Sequence, residues 1–495
     1  MHHLLILCVI SLVCAGQTLS NQHLPVEYKG AVKPANHGGK PFVFSSDCFT
    51  MNKATLYASP EGGELILDAQ MPTSFFCADF YLFVSGTQYF IHTCEMRGIH
   101  RWKIKNWQTD KIDAYEDVLQ YGLAIFRLDI NLLKDIRFIW DIYNAFKRED
   151  PKAIRTFLEK YAQHEFVRRE QPYSLVPEHL IHSGDALSIL KMNTEEAGIC
   201  YGSGSRAGHS AFFIRNPYTK QLYVAETNPS FGINKFEYET WVELHANGTL
   251  CHAETCSAVW LPIRRDWVKY IDEYKLWEWF TEREGWEYCY HGNFFAPIDS
   301  TEHPFPYPIN GTYFGLLFGY LIERATPAGA KEMLYGAFEQ RIHTKVESFE
   351  DVVIWARDHN KTVVDLFVIP EQDDWRYPMK SSNPDHLMVD SRECLQCTNL
   401  VVKAWKVSGL FDGVFGEGFS SKVNAAEFHP RDLYQIQLFE PIKPDVCQTD
   451  SYPFCHILGH YLLDLIGVNS VKPHAHINEK CGLVWPDFKR TPEVC

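Results

Sequence analysis

The sequence contains no long run of lysine or arginine, and its formal net charge is −15. Proteins that bind nucleic acid present clustered cations to the phosphate backbone, whereas a strongly acidic chain is repelled by a polyanion at long range. We therefore expect no nucleic-acid partner. The glycine-containing segment 202–208 also lacks the Gly-Lys-Ser/Thr triplet of a phosphate-binding loop, so nucleotide binding is not indicated.

Long apolar runs are also missing. A membrane-spanning helix needs about 20 consecutive apolar residues, and the longest later stretch, 313–322, is interrupted by Gly315 and Gly319. An earlier apolar run, Leu4 to Ala15, is shorter and is followed by small and polar residues, as in a secretory signal peptide. We predict a signal peptide over residues 1–16 and a secreted or lumenal chain (extracellular or endolysosomal) with no transmembrane segment.

Glycosylation triplets and cysteines agree with such a compartment. Asn247, Asn310 and Asn360 each begin an Asn-X-Ser/Thr triplet, which is an acceptor for N-linked glycans in secreted proteins. Of the 15 cysteines, Cys8 and Cys14 would leave with the signal peptide, and the number that remains is odd. Because an oxidising compartment favours disulfides, we expect paired cysteines and at least one free thiol.

The composition, 46% hydrophobic and 22% charged, is that of a globular protein, and no internal repeat is present. Short apolar runs separated by turn residues predict a β-rich N-terminal domain over 17–107. Helical spacing predicts a connector over 108–175, in which Asp150 and Pro151 begin a helix. An α+β core over 176–445 with inserted helices and a cysteine-rich, disulfide-tied tail over 446–495 complete the predicted organisation.

A predicted β-hairpin brings a histidine and a carboxylate together. His209 begins an apolar strand, 216–219 reads as a turn, and Glu226 ends the next strand. If those four residues form the loop, His209 lies directly opposite Glu226, and directly opposed side chains point to the same side. The carboxylate could then orient the imidazole and stabilise its charged form, as in a catalytic triad. An ordinary cross-strand His–Glu pair on a wet face is the alternative interpretation.

A cysteine stands at the start of a predicted helix. Apolar residues after Cys397 recur at helical spacing, and Gly409 predicts where the helix stops. A thiol in the first turn lies near unpaired backbone N–H groups and the positive end of the helix dipole, and both favour the thiolate. A buried structural cysteine or one half of a disulfide is the alternative.

Together these segments resemble a known family. His182-Ser-Gly-Asp185 entering a strand, then Gly208-His209-Ser, then Glu226, then Cys397-Thr-Asn-Leu-Val is similar to the permuted papain-like amidases of the YiiX/YaeF type. These are related to NlpC-type cysteine peptidases and lecithin–retinol acyltransferases. The resemblance covers 178–230 and 385–410, and the long interval between them departs from compact members.

The resemblance implies a permuted papain-like core, with Cys397 as nucleophile, His209 as base and Glu226 as the residue that orients the base. Such a site would cleave an amide, peptide, ester or thioester bond through an acyl-enzyme, with hydrolysis or acyl transfer as the second step. The expected substrate is a small molecule, a peptide or an acyl lipid, and no cofactor is expected. Trp375 and Tyr377 precede the helix of Cys397 in the sequence, so we expect them at the border of the cleft.

Two other functions compete for the same cysteine. Cys394 and Cys397 form a C-x-x-C pair at a helix start, which is the arrangement of a thiol–disulfide oxidoreductase. The thioredoxin-like βαβ pattern that usually accompanies such a pair is not evident. A secreted binding protein that keeps the fold with an inactive site is the third possibility.

Two further patterns concern metals and carboxylates. His456 and His460 are four residues apart and would share a helix face, and His474, His476, Cys455 and Cys481 lie nearby. A zinc site is therefore the alternative to a disulfide-tied tail. The tail is the better interpretation, and no metal is expected. Two adjacent acidic pairs, 195–196 and 373–374, supply the paired carboxylates that a glycosidase uses, but adjacent carboxylates in a strand point to opposite faces and do not predict one.

Overall fold

The computed structural model places most of the chain between residues 26 and 471. It describes residues 26–73, 79–85, 89–94, 97–107, 114–128, 141, 144–145, 150–162, 164–203, 205–246, 248–251, 254–289, 291, 328–361, 363–367, 369, 373–379, 390–447 and 454–471. The predicted signal peptide, Asn247, Asn310 and the histidines and cysteines beyond residue 471 lie outside the described residues. The fold is mixed α+β with several sheets, as predicted.

The N-terminal part is built from two four-stranded antiparallel sheets. Its strands are β1 (Val26–Val32), β2 (Phe42–Phe44), β3 (Phe49–Ser59), β4 (Gly62–Pro72), β5 (Asp79–Val84), β6 (Tyr89–Cys94), β7 (Gly98–Ile104) and β8 (Leu123–Leu128). One sheet has the order β1-β8-β5-β6 and the other β2-β3-β4-β7. Buried and exposed residues alternate along β3 and β4, as expected when one face of a sheet covers a core.

Side chains from both sheets form one hydrophobic core. Leu56 and Leu67 come from one sheet, Phe83 and Ile125 from the other, and all four are fully buried. The two sheets therefore form a β-sandwich. The predicted domain boundary at residue 107 falls short of this unit, because β8 pairs with both β1 and β5. Only a short helix, α1 (Tyr115–Tyr121), separates β7 from β8 within the described residues.

A six-stranded antiparallel sheet forms the centre of the second half. Its strands are β9 (Ala186–Lys191), β10 (His209–Arg215), β11 (Leu222–Asn228), β12 (Gly232–Glu237), β13 (Cys256–Leu261) and, after a two-stranded ribbon of β14 (Arg376–Met379) and β15 (Asp390–Glu393), β16 (Cys455–Leu458). The strand order is β12-β11-β10-β9-β13-β16. The edge strand β16 comes from the C-terminal part of the chain, so this part closes one side of the sheet.

Helices cover both faces of this sheet. The remaining helices are α2 (Pro151–Tyr161), α3 (Thr194–Ser203), α4 (Tyr238–Ala246), α5 (Glu273–Arg283), α6 (Ala328–Ile342), α7 (Phe349–Asp358), α8 (Val363–Phe367), α9 (Cys397–Val407), α10 (Leu410–Phe415) and α11 (Pro430–Gln435). Phe212 of β10 packs into a core with Leu400 and Trp405 of α9, whereas Phe213 packs on the opposite face with Trp241 of α4. Successive strand residues therefore serve different cores.

Two helix predictions are confirmed. The Asp150 side chain accepts a hydrogen bond from the backbone N–H of Lys152 at 3.0 Å, and Pro151 is the first residue of α2. The helix α9 begins at Cys397 and ends before Gly409, whose φ of 84° is in the left-handed region that glycine adopts at low cost.

Cysteine pairing is consistent with a secreted or lumenal protein. Among the described residues, disulfides join Cys251 to Cys256, Cys289 to Cys394 and Cys447 to Cys455, and Cys48 is also disulfide-bonded. The thiols of Cys200 and Cys397 are free, and both residues are buried. Within the described ranges no helix is both long and apolar enough to cross a membrane. Asn360, two residues after the end of α7, is exposed, so the acceptor asparagine of that triplet is accessible.

Candidate active site

Cys397 occupies the first position of α9. At this position the backbone N–H has no partner within the helix, and the positive end of the helix dipole lies nearby. The Cys397 residue is 3% exposed and its thiol is free. The neighbouring Cys394 is bonded instead to Cys289, with the two Cα atoms 5.0 Å apart. The C-x-x-C pair of the oxidoreductase alternative is therefore not joined in this structure.

His209 and Glu226 form a buried hydrogen-bonded pair. Nε2 of His209 lies 2.8 Å from Oε2 of Glu226, and the indole N–H of Trp241 donates to Oε1 at 3.1 Å. Both members of the pair are at most 5% exposed. Because an ionised carboxylate only accepts hydrogen bonds, Nε2 carries the proton and Nδ1 keeps the free lone pair. The predicted cross-strand partners are thus in contact, and the wet-face alternative does not apply.

The strand register that brings His209 and Glu226 together differs from the predicted register. Arg215 pairs with Leu222 rather than with Lys220, so the hairpin loop is longer and the register is shifted by two residues. A shift by one residue would have turned Glu226 to the other face, whereas a shift by two preserves the face. His209 and Glu226 are therefore diagonal neighbours, which long side chains can still bridge. The predicted direct opposition was wrong.

The ladder between β10 and β11 ends early. It runs from Arg215↔Leu222 to Phe212↔Ala225, and in the same register Ser210 would follow opposite Thr227. We call this open end of the ladder the fork, bounded by residues 209–210 and 226–227. Since the strands are no longer paired there, backbone and side-chain groups become available to other partners.

The sulfur of Cys397 lies at the fork. The backbone N–H of Ser210 lies beside it and lowers its pKa, as does the hydroxyl of Thr398. The hydroxyl oxygens of Ser210 and Thr398 are 3.3 Å apart, which joins β10 to α9. Strand alternation directs Ser210 toward α9 and His209 toward α4. The sulfur thus meets β10 from the α9 side, whereas the His209 ring lies on the α4 side, and no hydrogen bond joins these two described side chains.

A lysine that sequence analysis missed shares the carboxylate. Lys191 is the last residue of β9, its side chain is 12% exposed, and its Nζ lies 3.7 Å from Oε2 of Glu226. The same oxygen therefore faces both the imidazole and an ammonium group. A single lysine at the end of the apolar strand Ala186–Lys191 was a usable signal, but locating it at the site requires the pairing of β9 with β10.

The charges around the site favour a neutral thiol and a neutral imidazole. Burial raises the pKa of Cys397 to about 11. Burial, together with the charge of Lys191, lowers the pKa of His209 below its usual value. Burial alone would raise the pKa of Glu226, but Lys191 and His209 hold that pKa well below its usual range. The resting site therefore holds the ion pair of Lys191 with Glu226, an uncharged Cys397 thiol and an uncharged His209 imidazole.

Several buried polar atoms at the fork lack a hydrogen-bond partner among the described residues. They are Oγ of Ser188, Oγ1 of Thr227 and Nε2 of Gln396. Ser188 faces Ser210 across the β9/β10 ladder, and Gln396 directly precedes Cys397. Leaving such groups unpaired is unfavourable, and in native proteins they are usually satisfied by water or a ligand.

The acidic pair 195–196 belongs to this environment rather than to a carboxylate dyad. Glu196 accepts a hydrogen bond from the backbone N–H of Lys191 at 2.6 Å, and burial raises its pKa to about 8. A Cβ at Gly208 would lie 2.5 Å from Cβ of Glu196, so only glycine lets α3 approach the start of β10 this closely. The other acidic pair differs: Asp373 accepts from the backbone N–H of Ala426 at 2.9 Å, and Asp374 is exposed.

The zinc alternative is not supported by the described residues. His456 lies in strand β16 rather than on a helix, and its Nε2 accepts the backbone N–H of Leu463 at 2.9 Å. Cys455 is consumed by its disulfide with Cys447. Among the residues described, no group of three or more His, Cys, Asp or Glu side chains is placed to hold a metal ion.

Of the two aromatic residues expected at the cleft, Tyr377 lies in β14 and Trp375 directly precedes that strand. Tyr377 is fully buried and stacks on His291, with ring centroids 4.4 Å apart, in a small cluster with the Cys289–Cys394 disulfide. Trp375 is partly buried, and the guanidinium of Arg341 lies 5.5 Å from its ring centroid. A contact of either ring with substrate stays a prediction.

Comparison with known proteins gives no relative. The chain matches no protein-family model, no curated protein and no solved structure.

Proposed function

We propose that this protein is a secreted or lumenal cysteine hydrolase in which Cys397 is the nucleophile, His209 the base and Glu226 the residue that orients the base. The observation that carries the proposal is the buried 2.8 Å contact between His209 and Glu226 beside the strand residue whose N–H faces the sulfur. Catalytic nucleophiles are activated by a base that is itself oriented by a third group. Here His209 contacts Glu226, and the proposal adds that the Cys397 thiol reaches the imidazole.

The fold around these residues supports the same proposal. A free cysteine begins a helix, the helix packs on an antiparallel sheet, and the histidine and carboxylate come from adjacent strands of that sheet. The resemblance to permuted papain-like enzymes has the same chain order of histidine, orienting residue and cysteine. We therefore propose a permuted papain-like core for residues 176–445.

The proposed reaction begins with both partners neutral. Nδ1 of His209 takes the proton of the Cys397 thiol as the sulfur attacks the substrate carbonyl, and a carbon–sulfur bond forms while the carbonyl oxygen becomes an oxyanion. The imidazolium, held by Glu226, returns its proton to the leaving amine, alcohol or thiol. Water then attacks the acyl-enzyme with His209 again as base, which releases the acid and the free thiol.

Two donors are available for the oxyanion. The backbone N–H of Cys397 has no helical partner, and the side-chain Nε2 of Gln396 is buried without a hydrogen-bond partner among the described residues. Donors that are fixed before the reaction stabilise developing charge most effectively in a site that excludes water. Bonds that develop an oxyanion, namely amides, esters and thioesters, are the expected substrate class.

Acylation by an activated ester tests the proposal. The full-length protein is incubated with p-nitrophenyl acetate, quenched in acid and mapped by mass spectrometry. We expect an acetyl group on Cys397 that is lost with time, because an acyl-enzyme should hydrolyse. His209→Ala should slow its formation by about 10²–10⁴-fold, which is the usual contribution of a general base.

A matched control uses a second buried free thiol. Cys200→Ser removes a sulfur that packs in the hydrophobic core, so it should leave acetylation of Cys397 unchanged. Acetylation that is unaffected by His209→Ala would contradict the proposed base. The absence of an adduct on Cys397 in a folded protein would favour the inactive binding protein. Modification of Cys394 and Cys397 only after reduction would favour redox chemistry.

A further inference from the structure

The end of β9 holds a buried charge that the proposed reaction does not consume. Nζ of Lys191 lies 3.7 Å from Oε2 of Glu226, the oxygen that also faces Nε2 of His209 at 2.8 Å. The lysine side chain is 12% exposed and the carboxylate 2% exposed. An ion pair on the surface contributes little to stability because solvent screens it, whereas charges withdrawn from water interact strongly with their neighbours.

The neighbours of Lys191 keep it positively charged. Burial lowers its pKa, but the nearby acidic groups raise that pKa by more, and these are Glu226 of β11, Glu196 and Glu195 of α3 and Cys397 of α9. Lys191 is thus a fixed cation near the reacting sulfur, with its partner carboxylate already neutralised.

This arrangement changes what Glu226 does to the histidine. A carboxylate alone beside an imidazole favours the imidazolium and raises the pKa of the ring. Here the ammonium of Lys191 makes a positive charge on the His209 ring unfavourable. The remaining neighbour, His245 of α4, stays neutral because burial lowers its pKa to about 4. Glu226 therefore orients the ring without charging it.

We propose that Lys191 is a positioning residue that acts through Glu226 to keep His209 in its neutral, proton-accepting form at acidic pH. The inference deepens the proposed function, since it assigns the base a working range below neutral pH. A base is useful only while it is unprotonated, so the neutral ring would remain competent in an acidified compartment.

The ring pKa of His209 measures this directly. Full-length protein with isotope-labelled histidine is titrated by NMR, with the His209 signals assigned by their loss in His209→Gln. We expect a wild-type pKa below 6.5. Lys191→Met should raise it by about one unit, a tenfold change in the protonation ratio, and Lys191→Arg, which keeps the charge, should restore most of the shift.

Two variants make the result specific. Lys191→Gln is a second neutral replacement, used with Lys191→Met so that a folding failure of one does not decide the outcome. Lys220→Met is the control variant. The Nζ of this exposed lysine lies 3.8 Å from Oε2 of Glu273, which is nearly the separation between Lys191 and Glu226. Because this second pair is not at the fork, its loss should leave the His209 pKa unchanged. The acid limb of Cys397 acetylation should move with the NMR value.

The inference and the proposed function can fail separately. If Lys191→Met or Lys191→Gln folds and its His209 pKa is unchanged, the proposed role of Lys191 is overturned even when Cys397 is acetylated normally. Conversely, a shifted His209 pKa in a protein that never acetylates Cys397 would support the role of Lys191 and contradict the hydrolase.

Discussion

The β-sandwich and the six-stranded sheet are both antiparallel, yet they treat their strand ends differently. In the sandwich, β3 and β4 keep one register from Ser59↔Gly62 at the turn to Phe49↔Pro72 at the far end. In the larger sheet, the β10/β11 ladder stops after Phe212↔Ala225 although both strands continue. Buried polar groups collect where that ladder stops.

The difference shows how a sheet acquires a reactive site. A continuous ladder satisfies its own backbone groups and leaves its buried side chains to pack as hydrophobic surface. An interrupted ladder frees a backbone donor, Ser210 N–H, beside the Cys397 sulfur, and brings His209 and Glu226 together diagonally. The same strand chemistry thus yields a scaffold in one region and a candidate catalytic centre in the other.

The largest expected effect comes from changing the fork carboxylate. In Glu226→Gln the amide can donate to Nε2 of His209 and favour the wrong tautomer, so acetylation of Cys397 should fall by about 10²–10⁴-fold. Asp79→Asn is the sandwich counterpart, since this buried carboxyl accepts the hydroxyl of Tyr81 at 3.0 Å. That variant should leave the acetylation rate unchanged, and equal losses in both would remove the functional contrast between the two regions.

The next largest expected effect is on thermal stability, and it depends on the ionisation of Glu196 and therefore on pH. Burial raises the pKa of Glu196 to about 8, so the folded state binds a proton that the unfolded state releases above about pH 4.5. This group therefore makes stability fall as pH rises from about 4.5 to about 8. Glu196→Gln mimics the protonated form and should raise the melting temperature at pH 8 by several degrees relative to wild type, with little change at pH 4.5.

Thermal unfolding at both pH values measures the Glu196 effect. The sandwich control is Glu64→Gln, a partly exposed carboxylate that faces Arg101 at 3.4 Å. Its melting temperature should differ from wild type by a similar small amount at the two pH values, because surface pairs are worth about 1 kcal/mol or less. A gain for Glu196→Gln that is equal at pH 4.5 and pH 8 would mean that its carboxyl ionises normally in the folded protein.

The smallest expected effect is on the free energy of unfolding, and it concerns the Thr227 hydroxyl at the fork. Thr227 is fully buried and its Oγ1 has no hydrogen-bond partner among the described residues. Thr227→Val keeps the shape and removes the hydroxyl, so the free energy of unfolding should rise by up to about 1 kcal/mol. Urea denaturation measures it, with Thr55→Val on β3 as a near-neutral control. A clear loss of stability would mean that a water or ligand pairs with the hydroxyl.

Local sequence signals predicted much of the candidate site. The start of α9 at Cys397, its end before Gly409 and the capping of α2 by Asp150 were all predictable, because each depends on residues within a few positions of one another. Contact between His209 and Glu226 was also predicted, although through the wrong register, because a loop two residues longer keeps the same face.

Other features depended on residues far apart in the chain. Cys394 pairs with Cys289, which is 105 residues away, and β8 joins the sandwich beyond its predicted end. Lys191 reaches the carboxylate only because β9 pairs with β10. None of these contacts has a local signature, since cross-strand neighbours and disulfide partners can be separated by any length of chain.

The amino-acid order by itself determined which chemistry is possible: a cysteine at a helix start, and a histidine and a carboxylate on adjacent strands. The tertiary structure alone decided that the β10/β11 ladder ends beside that cysteine and that a buried lysine shares the carboxylate. The physical reason is the sequence separation between the residues that determine each feature. Helix starts and strand faces follow from short-range periodicity, whereas the position of a ladder's end and the charge around it follow from how distant segments pack.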